Sequence, residues 1–413
     1  MHIRLLVASS LLFISSMSVS QVWCDMPAIE HSKEDSMRYD EFLDKVRQHE
    51  LHPVIKTRSE ICYQVVVHIV VRQSATFISN AQVIHQIDVL NNDFAGKGAN
   101  ISKLEKEFEP LISDTGIRFR LASIDPDGKP TDGITYTFTN RQNIALLVDP
   151  QSSRRAIHFN ELGGKTGWDP ERYINIWVGE YGSFLGSAFF PGMAPYPEEI
   201  GVVIDPRSFG SLGDAAFHPF YKGGHTLTHE MGHFFGLIHI WGGPSEHDCN
   251  DSDEVDDTPN QEGPYFDCPS GIQMSCGVSN MYQDFMDLTD DRCLAAFTSG
   301  QSARMHASID AFYPDLGSEG SCQEIVQPFD TWYDKLIWAN DRYSGQYVLY
   351  HPDGYAGKIN LEVFSVDGRL VLKDTWEGSQ TYLLNLNPYA SGIFFVRLSD
   401  GIQDKVRKVV TFQ

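Results

Sequence analysis

Four histidines and a glutamate stand among apolar residues between His225 and His239: His225, His229, Glu230, His233 and His239. Imidazole is costly to bury without a partner, so chemistry should account for this density. On a helix, residues i and i+4 share a face, and His229 and His233 can therefore meet one ion. Glu230 sits beside the first of them, where its carboxylate can take a proton from a bound water. Gly236 can leave the helix with φ > 0 and return the chain so that His239 supplies a third nitrogen. Three protein ligands with one open position make a catalytic zinc arrangement, in which water is acidified and Glu230 is the general base. His225 lies one turn earlier and is expected to be structural, because three ligands already complete the set.

A helix carrying such a site needs a scaffold. Within 413 residues there is room for two or three domains. "ICYQVVVHIVV" from Ile61 reads as a buried strand, being unbroken and β-branched. Ser79 to Gln82 reads as a capping box opening a helix with Val83, Ile84, Ile87, Leu90 and Phe94 at helical spacing. "GIRFRLAS", "YINIWV" (173–178) and "IGVVID" (200–205) read as further strands. "SFLGSAFFPG" (183–192) is short and broken by glycine, which suits an edge strand. Strands alternating with helices, then a loop-rich half, predict an α/β domain over 59–323. After Cys322 short alternating strands with turn signals at Asp367-Gly368 and Ser399-Asp400-Gly401 predict a small all-β, Ig-like sandwich over 324–413. Residues 21–58 are charged and weakly patterned, a helix or a loose arm.

The formal net charge of -23 argues against nucleic acid and anionic lipid as partners and suits a cation-binding exported protein. Residues 1–20 pair one Arg with a short apolar run and small residues at Ser18-Val19-Ser20, the pattern of a signal peptide. No later run is apolar enough to span a membrane. Seven cysteines in an exported chain suggest disulfides with one thiol left over.

The extended motif with a downstream methionine resembles the metzincin metalloproteases. "GHTLTHEMGHFFGLIHIWGG", "DEVDDTPNQ" and "NMYQDFMDLTDDRCLAAFTSGQSARM" resemble more narrowly the pappalysin family in its ulilysin-like branch, over about residues 24–323. The resemblance implies a metzincin-type fold and a secreted zinc endopeptidase acting on protein or peptide substrates. It implies His229, His233 and His239 as zinc ligands, Glu230 as base and Met286 as the Met-turn residue beneath the site. One departure stands out. The family pattern after that methionine is Asp-Tyr, a tyrosine implied to swing toward the reacting carbonyl, whereas Met286-Asp287 is followed here by Leu288. Leu288 cannot donate a hydrogen bond, and losing one such donor costs a few kcal/mol of transition-state stabilisation. Nothing in the sequence places Tyr282 as a substitute.

"DCNDSDEVDDTPNQE" (248–262) crowds carboxylates into a loop, and hard oxygen ligands suit Ca²⁺. The resemblance supports calcium there, with Asp251, Asp253, the Val255 carbonyl and Thr258 as candidates. It also implies the pairs Cys249–Cys276 and Cys268–Cys293, and Cys62–Cys322 is a guess for the remaining two. That leaves Cys24, a candidate latency switch whose thiolate would take the fourth zinc position. The family has Gly after this cysteine, whereas Asp25 follows here and is itself a candidate ligand. Release needs a cut before the first strand, expected at Arg58-Ser59. Asp291 corresponds to a carboxylate implied to favour Lys or Arg after the scissile bond, unless Arg292 neutralises it.

"VFSVDGRLVL", "YASGIFFVRLSDG" and "KVRKVV" resemble the type IX secretion sorting domain of the Bacteroidetes, which implies export across the periplasm and outer membrane through that machinery, with surface attachment open. The chain therefore divides into signal peptide 1–20, inhibitory pro-segment 21–58, protease domain 59–323 and sorting domain 324–413. Two other readings compete. One is a surface adhesin with a structural zinc, which has no use for Glu230. The other is a processing protease of narrow specificity, which Leu288 leaves open.

Overall fold

The computed structural model describes residues 24, 33–51, 60–72, 78, 80–210, 218–243, 248–316, 336–341, 346–351, 357–377, 381–389, 391–401 and 404–411. Its centre is strand β1 (Ile61–Val71), buried at ten of eleven positions. A continuous apolar strand of this kind belongs in a sheet covered on both faces. The first half of β1 pairs in parallel with β2 (Ile117–Leu121), the second half with β3 (Ile134–Phe138), and its opposite edge with β4 (Ile174–Gly179). Past β4 lies β6 (Val202–Ile204), again parallel, and then β5 (Gly186–Ala188), antiparallel to β6 and last on that side. The Gly-broken segment is thus the edge strand that its composition suggests.

Helices α1 (Lys33–Leu51), α2 (Asn80–Phe94), α3 (His225–Phe234) and α4 (Ser299–Phe312) complete this part. The charged stretch before residue 59 therefore contains a nineteen-residue helix, α1, which lies along α4. In α2, Val83, Ile87, Leu90 and Phe94 are buried, but Ile84 is 39% exposed. The buried four advance by steps of four, three and four along one stripe, and Ile84 lies about 100° round from Val83. Ser79, the expected cap, lies outside the described residues. Helix α4 opens with a capping box that sequence inspection did not single out: Thr298 Oγ1 accepts from Gln301 N, and Gln301 Oε1 accepts from Thr298 N at 2.9 Å.

Between 248 and 298 the backbone forms only a hairpin of β7 (Gln273–Ser275) and β8 (Val278–Asn280). Two interleaved disulfides, Cys249–Cys276 and Cys268–Cys293, hold this loop-rich stretch. Closing loops of 27 and 25 residues each removes about 3 to 4 kcal/mol of unfolded-state entropy in the chain-entropy model. The pairing expected between Cys62 and Cys322 lies outside the described residues, because Cys322 does.

The C-terminal region is all β: β9 (Ile337–Asp341), β10 (Gln346–Tyr350), β11 (Lys358–Ser365), β12 (Leu370–Glu377), β13 (Thr381–Asn385), β14 (Gly392–Ser399) and β15 (Asp404–Thr411). Four of these form a sheet in the order β12-β11-β14-β15. The others run β13-β10-β9, and β9 continues the large sheet by pairing with β3 at Thr137↔Asn340 and Phe138↔Asp341. Leu349, Leu361, Val363, Trp376, Leu384 and Val396 from both groups share one core. The expected turns carry Gly368 and Gly401 at φ +81° and +87°, where a Cβ would be strained.

Candidate metal centre

All ten residues of α3 are buried. Its i, i+4 geometry places His229 and His233 side by side with ring centroids 4.7 Å apart. The helix ends at a left-handed glycine. Gly236 has φ +90°, its N–H donates to His233 O at 2.9 Å, and Leu237 N donates to Gly232 O at 2.9 Å, the bonds of a glycine-terminated helix. A Cβ at Gly236 would also lie 2.4 Å from Ser308 Oγ. This turn returns His239 toward the helix, 5.3 Å from His229 and 4.7 Å from His233 between ring centroids, stacked on Trp241.

Hydrogen bonds fix which nitrogens face inward. His229 Nδ1 donates to Phe285 O at 2.7 Å, and His233 Nδ1 donates to Leu237 O at 2.8 Å. Each Nε2 then carries a lone pair, because the one proton of a neutral imidazole sits on the nitrogen that donates. Burial lowers all three imidazole pKa values, His233 to about 4, so the rings are neutral. The two Nε2 atoms approach to 3.1 Å, and His239 Nε2 is buried with no hydrogen-bond partner. Facing lone pairs repel unless a cation lies between them. Cys24 Sγ stands 3.5 Å from His233 Nε2. The four donor atoms of Cys24, His229, His233 and His239 all lie within 4.8 Å of one another. Neutral imidazoles with a thiol fit zinc, which takes nitrogen and sulfur in tetrahedral geometry.

The edge strand closes over this centre. A Cβ at Gly186 would fall 2.6 Å from Glu230 Cγ, so β5 passes against the glutamate only because that residue is glycine. Cys24 bridges Gly186 in parallel, which sets its thiol beside the histidines. Asp25 lies outside the described residues, as do Arg58 and Ser59.

Met286 lies beneath α3 in a tight turn. Its N–H donates to Asp284 Oδ1 at 2.7 Å, and Asp287 N donates to Asp284 O at 3.0 Å. Asp287 accepts from Gln261, Tyr265 N and Leu288 N at 2.7 to 2.8 Å. Leu288 packs its side chain against two apolar clusters. The contacts of Tyr282 run to the Tyr265 ring and, through its carbonyl, to Thr289.

His225 is held apart from the other three. Its Nδ1 bonds Asp93 Oδ2 at 2.7 Å, and Thr228 donates to the same oxygen at 2.6 Å. Burial opposes its proton, but Asp93 outweighs burial and raises the pKa to about 9. Asp291 caps the start of α3, accepting from Gly223 N at 2.5 Å and Gly224 N at 3.1 Å, and its Oδ1 is buried with no hydrogen-bond partner. Burial pushes its pKa up to about 6. Arg292 turns away to Asp290 and the Phe220 ring, so it does not pair with Asp291.

In the acidic loop, Thr258 Oγ1 donates to Asp253 Oδ1 at 2.6 Å and lies 2.8 Å from Val255 O. Asp253 Oδ2 is buried with no hydrogen-bond partner. Asp251 does something else: it accepts from Gly243 N at 2.8 Å and Ser252 N at 2.9 Å, holding the turn after Trp241.

The family described as Pregnancy-associated plasma protein-A, a peptidase family, matches residues 162–310. A secretion system C-terminal sorting domain matches residues 347–411. Extracellular metalloproteases of Trichophyton verrucosum and Arthroderma benhamiae are 31% and 30% identical over 230 residues, 53% of this chain and 74% of each relative. A promirolysin mutant of Tannerella forsythia is 33% identical, covering 70% of this chain and 95% of that one with a TM-score of 0.61. Mature mirolysin of the same organism, solved in complex with a cleaved peptide, is 37% identical over 63% of this chain and 99% of that one, TM-score 0.55.

Helix α3 rests on the Met286 turn at a contact with no room to spare, since a Cβ at Gly232 would sit 2.4 Å from Met286 Sδ. Gly232→Ala is expected to destabilise the fold by about 1 to 3 kcal/mol through overpacking, measured by urea unfolding. An unchanged midpoint would show that Met286 yields freely.

Proposed function

Because this chain belongs to the pappalysin family of metalloproteases and carries a C-terminal secretion sorting domain, we propose that it is a secreted zinc endopeptidase made as a latent precursor. The convergence of three neutral imidazoles beside Glu230, under a glycine edge strand, is the observation that carries this reading. His229, His233 and His239 would hold the ion. Zinc, when bound, supplies a Lewis acid that polarises a carbonyl and lowers the pKa of water toward neutrality. Glu230 takes the proton of the attacking water. As the new C–O bond forms and the peptide C–N bond breaks, Glu230 gives that proton to the leaving amine. The backbone of β5 pairs with an extended substrate, as exposed strand edges do. Met286 supports α3 from below. Asp291, with Arg292 engaged elsewhere, would favour Lys or Arg after the scissile bond.

In this reading residues 1–20 are the signal peptide, 21–58 the pro-segment, 59–323 the protease and 324–413 an Ig-like sorting domain. Latency rests on Cys24, whose thiolate would complete the tetrahedron. Support comes from its distance to His233 and its bridge to Gly186. The related promirolysin is likewise a pro-form by its name. Cleavage at Arg58-Ser59 would free the segment.

Calcium belongs to the acidic loop in this reading, through Asp253, the Val255 carbonyl and Thr258, with Asp251 bracing the adjacent turn. The unsatisfied Asp253 Oδ2 supports it.

Purified, processed protein should cleave casein. Glu230→Ala and chelated samples should not, and zinc should restore only the chelated wild type. Mass spectrometry of the products should place Lys or Arg after the cut. Inert processed protein would leave the adhesin or a narrow processing protease, the latter being what Leu288 favours.

The unprocessed precursor should be inert, and Cys24→Ala should cleave without processing. N-terminal sequencing of mature protein should begin at Ser59. A latent Cys24→Ala variant would remove the thiol from the switch.

Burial raises the Asp253 pKa to about 7, from an ordinary value near 3.8. The folded, ion-free protein therefore holds this proton more tightly than the unfolded chain does. Its stabilising effect is complete below pH 3.8 and is lost as pH rises toward 7. In chelator, the melting temperature should fall between about pH 4 and pH 7. Added Ca²⁺ should reverse the fall at pH 7.5 in the wild type and not in Asp253→Ala, and no response in the wild type would sink the calcium site.

A further inference from the structure

We propose that the groove now filled by α1 is a substrate subsite of the processed enzyme, selecting an aromatic side chain near the scissile bond and a carboxylate farther from it. This rests on the proteolytic reading above and on loss of the pro-segment. The groove lies between the end of the edge strand and α4. Phe42 of α1 stacks on Phe190 at 5.4 Å and meets Phe312 at 5.7 Å between ring centroids. Phe42 and Val46 share a buried cluster with Phe190, Ile238 and Ala307. When α1 departs, the places of both side chains open.

The groove is continuous with the reaction centre. Phe190 lies two residues past β5 and meets the His233 ring edge-on at 5.6 Å. An extended chain that pairs with β5 and continues past Ala188 reaches it. An aromatic residue there recovers the burial and stacking that Phe42 now provides.

The far end carries a cation in need of an anion. Arg304 is 1% exposed. It donates from Nε to Gly236 O at 3.3 Å and from Nη1 to Glu254 O at 3.4 Å. Glu50 of α1 stands 3.6 Å from Nη1, and Nη2 is buried with no hydrogen-bond partner. Loss of α1 takes Glu50 away and leaves the guanidinium without that carboxylate, although Glu254 still holds it by a carbonyl. Asp253 also acts on this guanidinium electrostatically from outside α1, and a substrate carboxylate would restore the negative charge that leaves with Glu50. Phe42, Val46 and Glu50 lie at i, i+4 and i+8, one helical face, and eight helical residues span roughly 12 Å. An extended chain covers that distance in about four residues. The preferred substrate thus bears Phe, Tyr or Trp next to the edge-strand contact and Asp or Glu about four residues beyond, away from the cut.

The test uses processed wild-type enzyme and peptides sharing one Lys-containing cleavage site. The reference peptide carries Ala at the flanking positions. Two further sets place Phe, or Phe with Glu four residues outward, upstream or downstream of the cut. On one side, Phe should raise kcat/KM about tenfold, and Glu should raise it again only when Phe is present. In Phe312→Ala the Phe/Ala ratio should fall toward one. Equal rates for all flanking sequences would overturn the proposal while leaving the protease reading intact. Failure to cleave even the reference peptide would strike the protease reading itself. Equal rates combined with inhibition by a peptide of residues 33–51 would show that the groove serves the pro-segment alone.

Discussion

Everything in this protein is arranged around one electrostatic requirement: three neutral imidazoles and a thiol crowded within 4.8 Å inside a buried site. Two nitrogen lone pairs at 3.1 Å repel one another, and the backbone must hold them there. It does so with rigid parts. Each helical histidine is locked by a bond from Nδ1 to a carbonyl, and those carbonyls belong to the two turns flanking the helix, at Phe285 and Leu237. The orientation of the rings is therefore set by the turns as much as by α3. The Gly236 turn brings in His239, and the Met286 turn supports the helix from below. Losing either would release the repulsion by letting the rings rotate apart.

The loop-rich stretch from 248 to 298 shows how such turns are made rigid without secondary structure. Many of its buried polar groups are tied down by side-chain bonds: Asp287 accepts three, Asp284 ties the turn to Gln301 of α4, and Asp257 accepts from Thr298 and Gly300. Two crossing disulfides add a constraint on the unfolded chain. Burial lifts the carboxyl pKa values of Asp253 and Asp287 to about 7 and also pushes that of Asp284 well above the ordinary carboxylate range. The acidic composition that looks like a wet surface is, in part, an internal lattice.

The histidine cluster was legible in the sequence because its logic is short-range. A helical repeat of four and one glycine suffice to bring His229, His233 and His239 together, and a short segment broken by glycine marked the edge strand. Long-range contacts have no such local logic. Cys24 stands near His233 across 209 positions, an association that only the leftover thiol and the family resemblance suggested, and His225 finds Asp93 across 132, which nothing in the sequence foretold. No local period encodes either contact. The segment holding α1 looks merely charged because only one narrow face is apolar, and a helix with so thin a stripe is recognisable only once α4 and Phe190 are seen against it. Arg304, which the sequence reading did not single out, is 1% exposed. Ile84 erred the other way, since an apolar residue one step off the stripe faces water.

The direction of the N-terminal segment bears on why a protease would tolerate its own chain in the site. Cys24 bridges β5 in parallel. A parallel ladder offsets hydrogen bonds differently from an antiparallel one. If productive substrates pair antiparallel, the parallel chain meets the histidines with a thiol where a polarised carbonyl would be needed. Besides that bridge, α1 buries Phe42 and Val46 some twenty residues later. In the latent form proposed above, anchoring strength and blocking chemistry would thus be carried by different residues. One cut between α1 and β1 would then separate both from the protease covalently.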